Sequence, residues 1–167
     1  MFNKPYILKG KHATYIRFLS AQTRINDKNA KGAFVIKTAV DIYNIAPLIG
    51  VAYNLKADED TNSTDSYTIF GDAMIQHQSN LEIAFRLVML AENSSTLSSD
   101  EKISRAFRED EQPDKMAKNL DLFHQYVRGG IEWLYEQFTD GATTKEDYLE
   151  KVFEVVSLYK DDFSICD

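Results

Sequence analysis

The sequence predicts an all-α protein, a single-domain bundle of five or six helices around a central apolar helix bent at Pro47. Three observations support this class. Apolar positions in several long stretches recur every three or four residues, which is the helical period. The chain has only seven glycines and three prolines, so the turn dipeptides typical of sheet proteins are scarce. A length of 167 residues with 44% hydrophobic residues suits one domain with a substantial core.

The most apolar run of the chain, residues 32–55, is the candidate for the central helix. Apolar side chains surround most of its circumference, as is typical of a buried helix. The part without charges begins only after Asp41 and is too short to cross a bilayer, so we predict no membrane contact. Because Pro47 lacks a backbone donor, we expect this helix to bend, or to end and restart, near Asn44–Leu48.

The same period predicts the neighbouring elements. A short amphipathic helix is expected over residues 11–22, after an extended segment. Residues 56–66 form an acidic loop, which is long for a compact domain. A long helix is expected over residues 67–91. Ser98 and Glu101 form the pattern of a capping box, which predicts the start of a short helix.

A further helix is predicted to begin at Pro113, and its apolar stripe keeps one phase through Gly129 and Gly130. The retained phase favours one continuous helix, and a helix end with a restart at Ile131 is the alternative. A glycine inside a helix costs about 1 kcal/mol relative to alanine, so this pair calls for a compensating role. We expect close contact with the central helix. The residues expected at this crossing are Pro47, Gly50, Gly129 and Gly130.

The C-terminal part is predicted to contain one more amphipathic helix. Thr143 and Glu146 form a second capping-box pattern, and apolar residues recur at helical spacing over residues 148–159. Residues 161–167 are expected to be a flexible tail. A single domain therefore spans residues 1–167.

Charge is distributed unevenly along the chain. From Met1 to Lys37, eight basic residues stand against Asp27, so this part carries +7 and the remainder −14. Either the basic region 1–31 folds onto the acidic surface of the protein itself, or it binds an acidic partner. Basic residues interleaved with aromatic ones also suit contacts with phosphates and bases. The candidate residues for an interface or a nucleic-acid contact are Lys9, Lys11, Tyr15, Arg17, Arg24 and Trp133.

Asp41 is the most unusual polar residue of the central helix, because a buried carboxylate needs a cation or several hydrogen-bond donors. We predict a structural ion pair between Asp41 and Arg128, beside the glycine pair, or Arg86, in the middle of the long helix. A catalytic acid at this position is the less favoured alternative.

Motifs that carry chemistry are scarce. His12, His77 and His124 form no HxxxH or HExxH pair, and the single Cys166 can form neither an internal disulfide nor a CxxC metal site. No GxSxG or GxGxxG motif occurs. The sequence therefore predicts no catalytic residue, no cofactor and no metal.

These observations favour a non-enzymatic protein that acts through protein–protein contacts, as an accessory or adaptor subunit of a bacterial multi-protein assembly, such as one that handles or defends nucleic acid. The expected partner is another protein or a further copy of the chain. The first alternative is a nucleic-acid-binding module that uses the basic N-terminal region. The second is a small-ligand binder or enzyme with an inter-helix pocket near Pro47 and Gly129. Because no signal-peptide pattern occurs, a cytoplasmic location is expected.

Overall fold

The computed structural model describes residues 1–20, 36–93, 95–142 and 145–162. These residues are mostly helical, which confirms the predicted class in its coarse form, but they contain seven helices and a small sheet rather than five or six helices alone. The helices are α1 (Lys11–Leu19), α2 (Ala39–Ala52), α3 (Gly71–Gln76), α4 (Gln78–Ala91), α5 (Ser99–Phe107), α6 (Pro113–Thr139) and α7 (Lys145–Asp162). No helix among the described residues is both long enough and apolar enough to cross a membrane.

The sheet pairs β1 (Tyr6–Lys9) with β2 (Ser66–Ile69) in antiparallel register. The prediction of one helix over residues 67–91 is therefore wrong in two respects. Its first residues form β2, where aromatic and β-branched side chains suit a strand. The remainder is divided into α3 and α4 at His77, which belongs to neither helix. Four residues are too few for a helical period to be distinguished from a strand.

Helix α2 begins later than predicted. Thr38 is its N-cap, and the side chain of Thr38 accepts a hydrogen bond from the backbone of Asp41 while the carboxylate of Asp41 accepts one from the backbone of Thr38. This reciprocal pair is a capping box. The helix continues through Pro47 to Ala52, so the alternative of an end and restart is wrong. The bend at Pro47 stays a prediction.

Helix α6 is continuous through Gly129 and Gly130, which confirms the single-helix interpretation. Pro113 lies in its first turn, where a missing N–H removes no intrahelical bond. The capping box predicted at Ser98 and Glu101 is also confirmed, at the start of α5. The second predicted capping box includes Thr143, which lies outside the described residues.

The core lies where α2 packs against α6 and α4. Its centre is a group of buried rings from Phe2, Tyr43, Phe85 and Phe123, whose centroids are 5.6–6.4 Å apart in edge-on or tilted arrangements. These arrangements are the ones that aromatic quadrupoles favour. Full burial of one such side chain contributes on the order of 2 kcal/mol, so this group is a main source of the fold's stability. Of the predicted tail, residues 161 and 162 belong to α7 and the rest lies outside the described residues.

Candidate functional site

Two of the candidate nucleic-acid contacts lie against the acidic loop of residues 56–66. The ammonium of Lys9 is 2.8 Å from a carboxylate oxygen of Glu59. The guanidinium of Arg17 donates to both carboxylate oxygens of Asp65, at 2.6 and 2.9 Å. Hydrogen bonding to Arg17 lowers the pKa of Asp65 below its ordinary value. These two basic side chains are thus paired within the molecule.

Lys11 joins the same loop to α6. Its backbone N–H donates to Asp60 at 2.8 Å, and its ammonium is 3.0 Å from the carboxylate of Glu132. The same carboxylate oxygen is hydrogen-bonded to Nε2 of His12, which is fully buried, at 2.7 Å. Burial lowers the pKa of His12, and the hydrogen bond with Glu132 opposes this shift. Lys11 is therefore a third candidate contact with an intramolecular partner.

The two aromatic candidates also pack within the molecule. Tyr15 stacks on Tyr135 with ring centroids 3.8 Å apart, and Trp133 stacks on Tyr53 at 5.2 Å. Both rings are half-buried, so at least one face of each is already covered. The remaining candidate, Arg24, lies outside the described residues.

The structure does not bring Asp41 together with Arg128 or Arg86, which corrects the predicted ion pair. The carboxylate of Asp41 accepts hydrogen bonds from the backbone and the hydroxyl of Thr38, at 3.1 and 2.6 Å. An acid in the first turn also faces the positive end of the helix dipole. A helix that begins at residue 32, as the sequence predicts, would have Asp41 in its interior, where the carboxylate needs a cation. With Thr38 as the N-cap, Asp41 lies in the first turn and the cap supplies the hydrogen-bond donors.

The two arginines tie helices to other segments. Arg128 is buried and donates from Nε to the carbonyl of Ala57 at 2.8 Å and from Nη1 to the hydroxyl of Tyr6 at 3.2 Å. Arg86 donates to a backbone carbonyl in the last turn of α5 and pairs with Asp110 at 2.9 Å. Both residues therefore have structural partners that their positions in the sequence do not indicate.

A buried carboxylate that sequence reasoning missed is Glu92, at the C-terminal end of α4. It is 1% exposed, and its oxygens lie 3.7 Å from the ammonium of Lys56 and 3.4 Å from the guanidinium of Arg105. The hydroxyl of Tyr126 donates to it at 3.3 Å. These partners come from three separate segments, so no local spacing could have revealed the cluster.

At the crossing of α2 and α6, backbone meets backbone. A Cβ atom at Gly130 would lie 1.8 Å from the carbonyl oxygen of Ala46. One at Gly50 would lie 2.3 Å from a carbonyl oxygen of α6, and one at Gly129 would lie 2.2 Å from a carbonyl oxygen just after α2. Real Cβ atoms do not approach so closely. The fourth residue expected at the crossing, Pro47, is buried in α2 beside Ala46.

Large apolar side chains are exposed on two neighbouring helices. Ile83 and Leu87 are one turn apart on α4, Ile103 and Phe107 are one turn apart on α5, and all four are 39–58% exposed. The guanidinium of Arg86, which lies three residues from Ile83 and so on the same face of α4, is 5.0 Å from the centroid of the Phe107 ring. The two pairs therefore belong to one region, which we call the α4–α5 apolar surface. Exposed apolar residues are unremarkable singly but informative when grouped.

A cavity of about 270 Å³ lies between residues 1–6, which we call the N-terminal segment, and helices α2, α3 and α6. The hydroxyl of Tyr43 and Nε2 of His124 are hydrogen-bonded at 2.8 Å, and the ring of Tyr6 stacks on His124 with centroids 4.1 Å apart. Burial lowers the pKa of His124 to about 4, with a further contribution from the charge of Arg128. We call this cavity the aromatic pocket. Its lining includes Phe2, Tyr6, Tyr43, Met74, Leu120 and His124.

The aromatic pocket is not the one the sequence predicted. The crossing near Pro47 and Gly129, where the sequence places an alternative pocket, is filled by backbone contact. Among the described residues, no group of three or more His, Cys, Asp or Glu side chains is placed to hold a metal ion. Comparisons of the chain with protein families, with curated proteins and with solved structures find no match.

Proposed function

We propose that this protein is a non-enzymatic accessory subunit that binds another protein through the α4–α5 apolar surface. The exposure of Ile83, Leu87, Ile103 and Phe107 on adjacent helices is the observation that carries the proposal. Apolar surface left in water is the main source of favourable free energy for association. Grouped exposure of this kind marks contact sites on otherwise soluble folds.

The α4–α5 apolar surface is held in place by polar contacts on both sides. Arg86 joins α4 to the end of α5 and to Asp110, and Lys102 donates to the side chain of Asn93 at 2.8 Å. Arg105 reaches the buried Glu92 from the opposite side of α5. A preorganised surface loses less conformational entropy on binding, which favours a stable contact over a transient one.

The charge of the molecule favours a basic partner. The protein carries a net charge of −7, and several of its N-terminal cations, such as Lys9 and Arg17, are already paired with its own acids. Two copies brought together would repel each other, whereas a basic protein would be attracted and guided to the surface. The partner is therefore expected to combine apolar anchor residues with a net positive charge.

The same pairing reduces the support for the nucleic-acid alternative. Binding to nucleic acid requires cations that can replace the counterions of phosphates. Arg17 would first have to give up two charge-assisted hydrogen bonds to Asp65. We therefore rank a protein partner above nucleic acid.

The test uses two variants of the α4–α5 apolar surface, Leu87→Glu and Phe107→Glu. The matched control is Phe153→Glu, which places the same charge at a residue that is 76% exposed on α7. The tagged protein is isolated from its source organism, proteins that co-purify are identified, and the complex is reconstituted from purified components for calorimetry. We expect a stoichiometric complex with a basic protein whose Kd rises at least about a hundredfold in Leu87→Glu and is unchanged in Phe153→Glu.

Three results would overturn the proposal. One is a wild-type protein that forms no reconstituted complex. Another is a complex that tolerates Leu87→Glu as well as it tolerates Phe153→Glu. The third is a concentration-dependent dimer of this chain that is lost in Leu87→Glu, since that would assign the surface to a second copy instead of a basic protein.

A further inference from the structure

We propose that the aromatic pocket is a binding site for a small, uncharged aromatic molecule of about two fused rings. The proposal does not depend on the α4–α5 apolar surface, because the pocket lies beneath the N-terminal segment and is bounded by α2, α3 and α6. It rests on the size of the cavity, the chemistry of its lining and the way the N-terminal segment covers it.

The size of the cavity sets the size of the ligand. An apolar protein cavity of about 150 Å³ accommodates benzene, and the aromatic pocket measures about 270 Å³. A molecule with two fused rings fits this space. A drug-sized ligand would not, because such ligands occupy pockets of roughly 300–1,000 Å³.

The lining favours an aromatic ligand. Met74 and Tyr43 present almost fully buried side chains to the pocket, and Leu120 adds a half-buried aliphatic one. The rings of Tyr6 and His124 are already stacked on each other. Aromatic side chains recognise a further ring through offset or edge-on contacts, and a methionine sulfur adds a favourable contact with a ring.

The polar groups of the pocket favour an uncharged ligand. The lowered pKa of His124 keeps its imidazole neutral at pH 7, and burial raises the pKa of Tyr43 well above its ordinary value, so its hydroxyl is neutral as well. The two groups are hydrogen-bonded to each other. Among the described lining residues, the charged groups are the side chain of Lys4, which is exposed at the rim, and the amino group of Met1, which is not fully buried. The buried guanidinium of Arg128 is already hydrogen-bonded to the carbonyl of Ala57 and the hydroxyl of Tyr6. A charged ligand would therefore lose its hydration without gaining an unengaged buried counterion.

The N-terminal segment is held over the pocket against its own backbone preference. Phe2 has a φ of 52°, a left-handed conformation that residues other than glycine rarely adopt. Its ring is nevertheless anchored in the core, 5.6 Å from the ring of Phe123 and 6.3 Å from that of Phe85. The exposed residues that follow, Asn3 and Lys4, form the rim of the pocket. This segment is therefore the cover of the site.

The probe for this site is indole, an uncharged molecule with two fused rings. The full chain at pH 7 is titrated with indole and, separately, with the anion indole-3-acetate, and binding is followed by NMR through the imidazole signals of His124. We expect saturable binding of indole with a Kd of about 1 mM or tighter, a shift of the His124 signals, and binding of indole-3-acetate that is weaker by at least about tenfold.

Two variants of α6 provide the comparison. Leu120→Trp fills the aromatic pocket, whereas Leu122→Trp, two residues further along α6, adds the same side chain to a different cleft. We expect Leu120→Trp to weaken indole binding by at least about tenfold and Leu122→Trp to leave it unchanged. Circular dichroism checks the fold, and Leu120→Phe replaces Leu120→Trp if the larger side chain prevents folding. No saturable binding, equal binding in the pocket-filling and control variants, or equal affinity for the anion would each overturn the proposal.

Discussion

Two regions of the molecule join distant parts of the chain by different contacts. One is the crossing of α2 and α6. The other is formed by β1, α1 and residues 56–66, and we call it the N-terminal strap. At the crossing, Gly130 lies so close to Ala46 that no Cβ atom fits between them. In the strap, charged side chains such as Arg17 and Asp65 meet while each remains at least a third exposed. Water and salt compete for the second kind of contact but have no access to the first. Whether a contact is buried or exposed therefore decides how much it contributes to the stability of the fold, more than which groups form it.

The largest expected effect comes from adding one methyl group at the crossing. Gly130→Ala places a Cβ atom where the carbonyl oxygen of Ala46 would be 1.8 Å away, so α2 and α6 must separate. We expect a loss of at least about 3 kcal/mol of unfolding free energy in chemical denaturation, despite a gain of about 1 kcal/mol in helix propensity. The control is Gly141→Ala, where φ is 70° and nothing lies within 4 Å. It should lose only about 1 kcal/mol, and equal losses in the two variants would contradict the tight crossing.

The next effect concerns the pH dependence of the buried interior. The pKa of His124 is about 4 in the folded protein and 6.5 without its environment. As pH falls below 6.5 the unfolded chain binds the proton first, so the stability contributed by the neutral imidazole is complete above pH 6.5 and lost toward pH 4. The free energy of unfolding is expected to fall by about 3 kcal/mol across this range because of His124 alone.

Denaturation across this range, for the wild type and for His124→Gln, measures the contribution of His124. Other groups titrate in both proteins, so the difference between the two profiles isolates the imidazole. If the wild type and His124→Gln show the same dependence of stability on pH between 4 and 6.5, the pKa of His124 is not lowered in the folded protein and its imidazole is not buried.

A third effect tests whether a buried charge cluster outweighs an exposed one. Glu92→Ala leaves Arg105 and Lys56 without their shared carboxylate, and both cations are only partly exposed. We expect a loss of about 2 kcal/mol. The control is Glu59→Ala, which removes a carboxylate that pairs with Lys9 at the exposed surface. If Glu59→Ala destabilised the protein as much as Glu92→Ala, buried and exposed ion pairs would contribute equally, which would contradict the proposed difference in stability between the interior and the strap.

The same distinction explains how much could be predicted from the sequence. Helices α5 and α6 follow from local signals, namely the capping box at Ser98 and a stripe that keeps its phase through Gly130. The sheet could not be predicted, because β1 and β2 are four residues each and pair across a long separation in the chain. The candidate site depends even more on distant pairing. No local pattern shows that Arg17 meets Asp65 or that His124 meets Tyr43.

A smaller effect distinguishes a helix cap from an ion pair. With Asp41 in the capping box of α2, Asp41→Ala should cost about 1 kcal/mol, whereas loss of a buried ion pair would cost roughly 3–5 kcal/mol. Asp41→Glu is the control, because glutamate at this position also completes a capping box. It should retain most of the stability in thermal melting. A loss of several kcal/mol of unfolding free energy in both variants would support an ion pair of Asp41 with Arg128 or Arg86 instead of a helix cap.

The smallest effect is expected in the N-terminal strap. Arg17→Ala should change the melting temperature little at low salt and not measurably at high salt, because the pair with Asp65 is partly exposed and screened. Its clear signature is the pKa of Asp65, which Arg17 lowers in the folded protein. The pair therefore stabilises the fold above the ordinary pKa of aspartate and stops doing so as pH falls through the lowered value. NMR titration should show the pKa of Asp65 rising in Arg17→Ala and unchanged in Lys4→Ala. A fall in melting temperature as large as that of Gly130→Ala would mean that the strap, and not the crossing alone, holds the fold together.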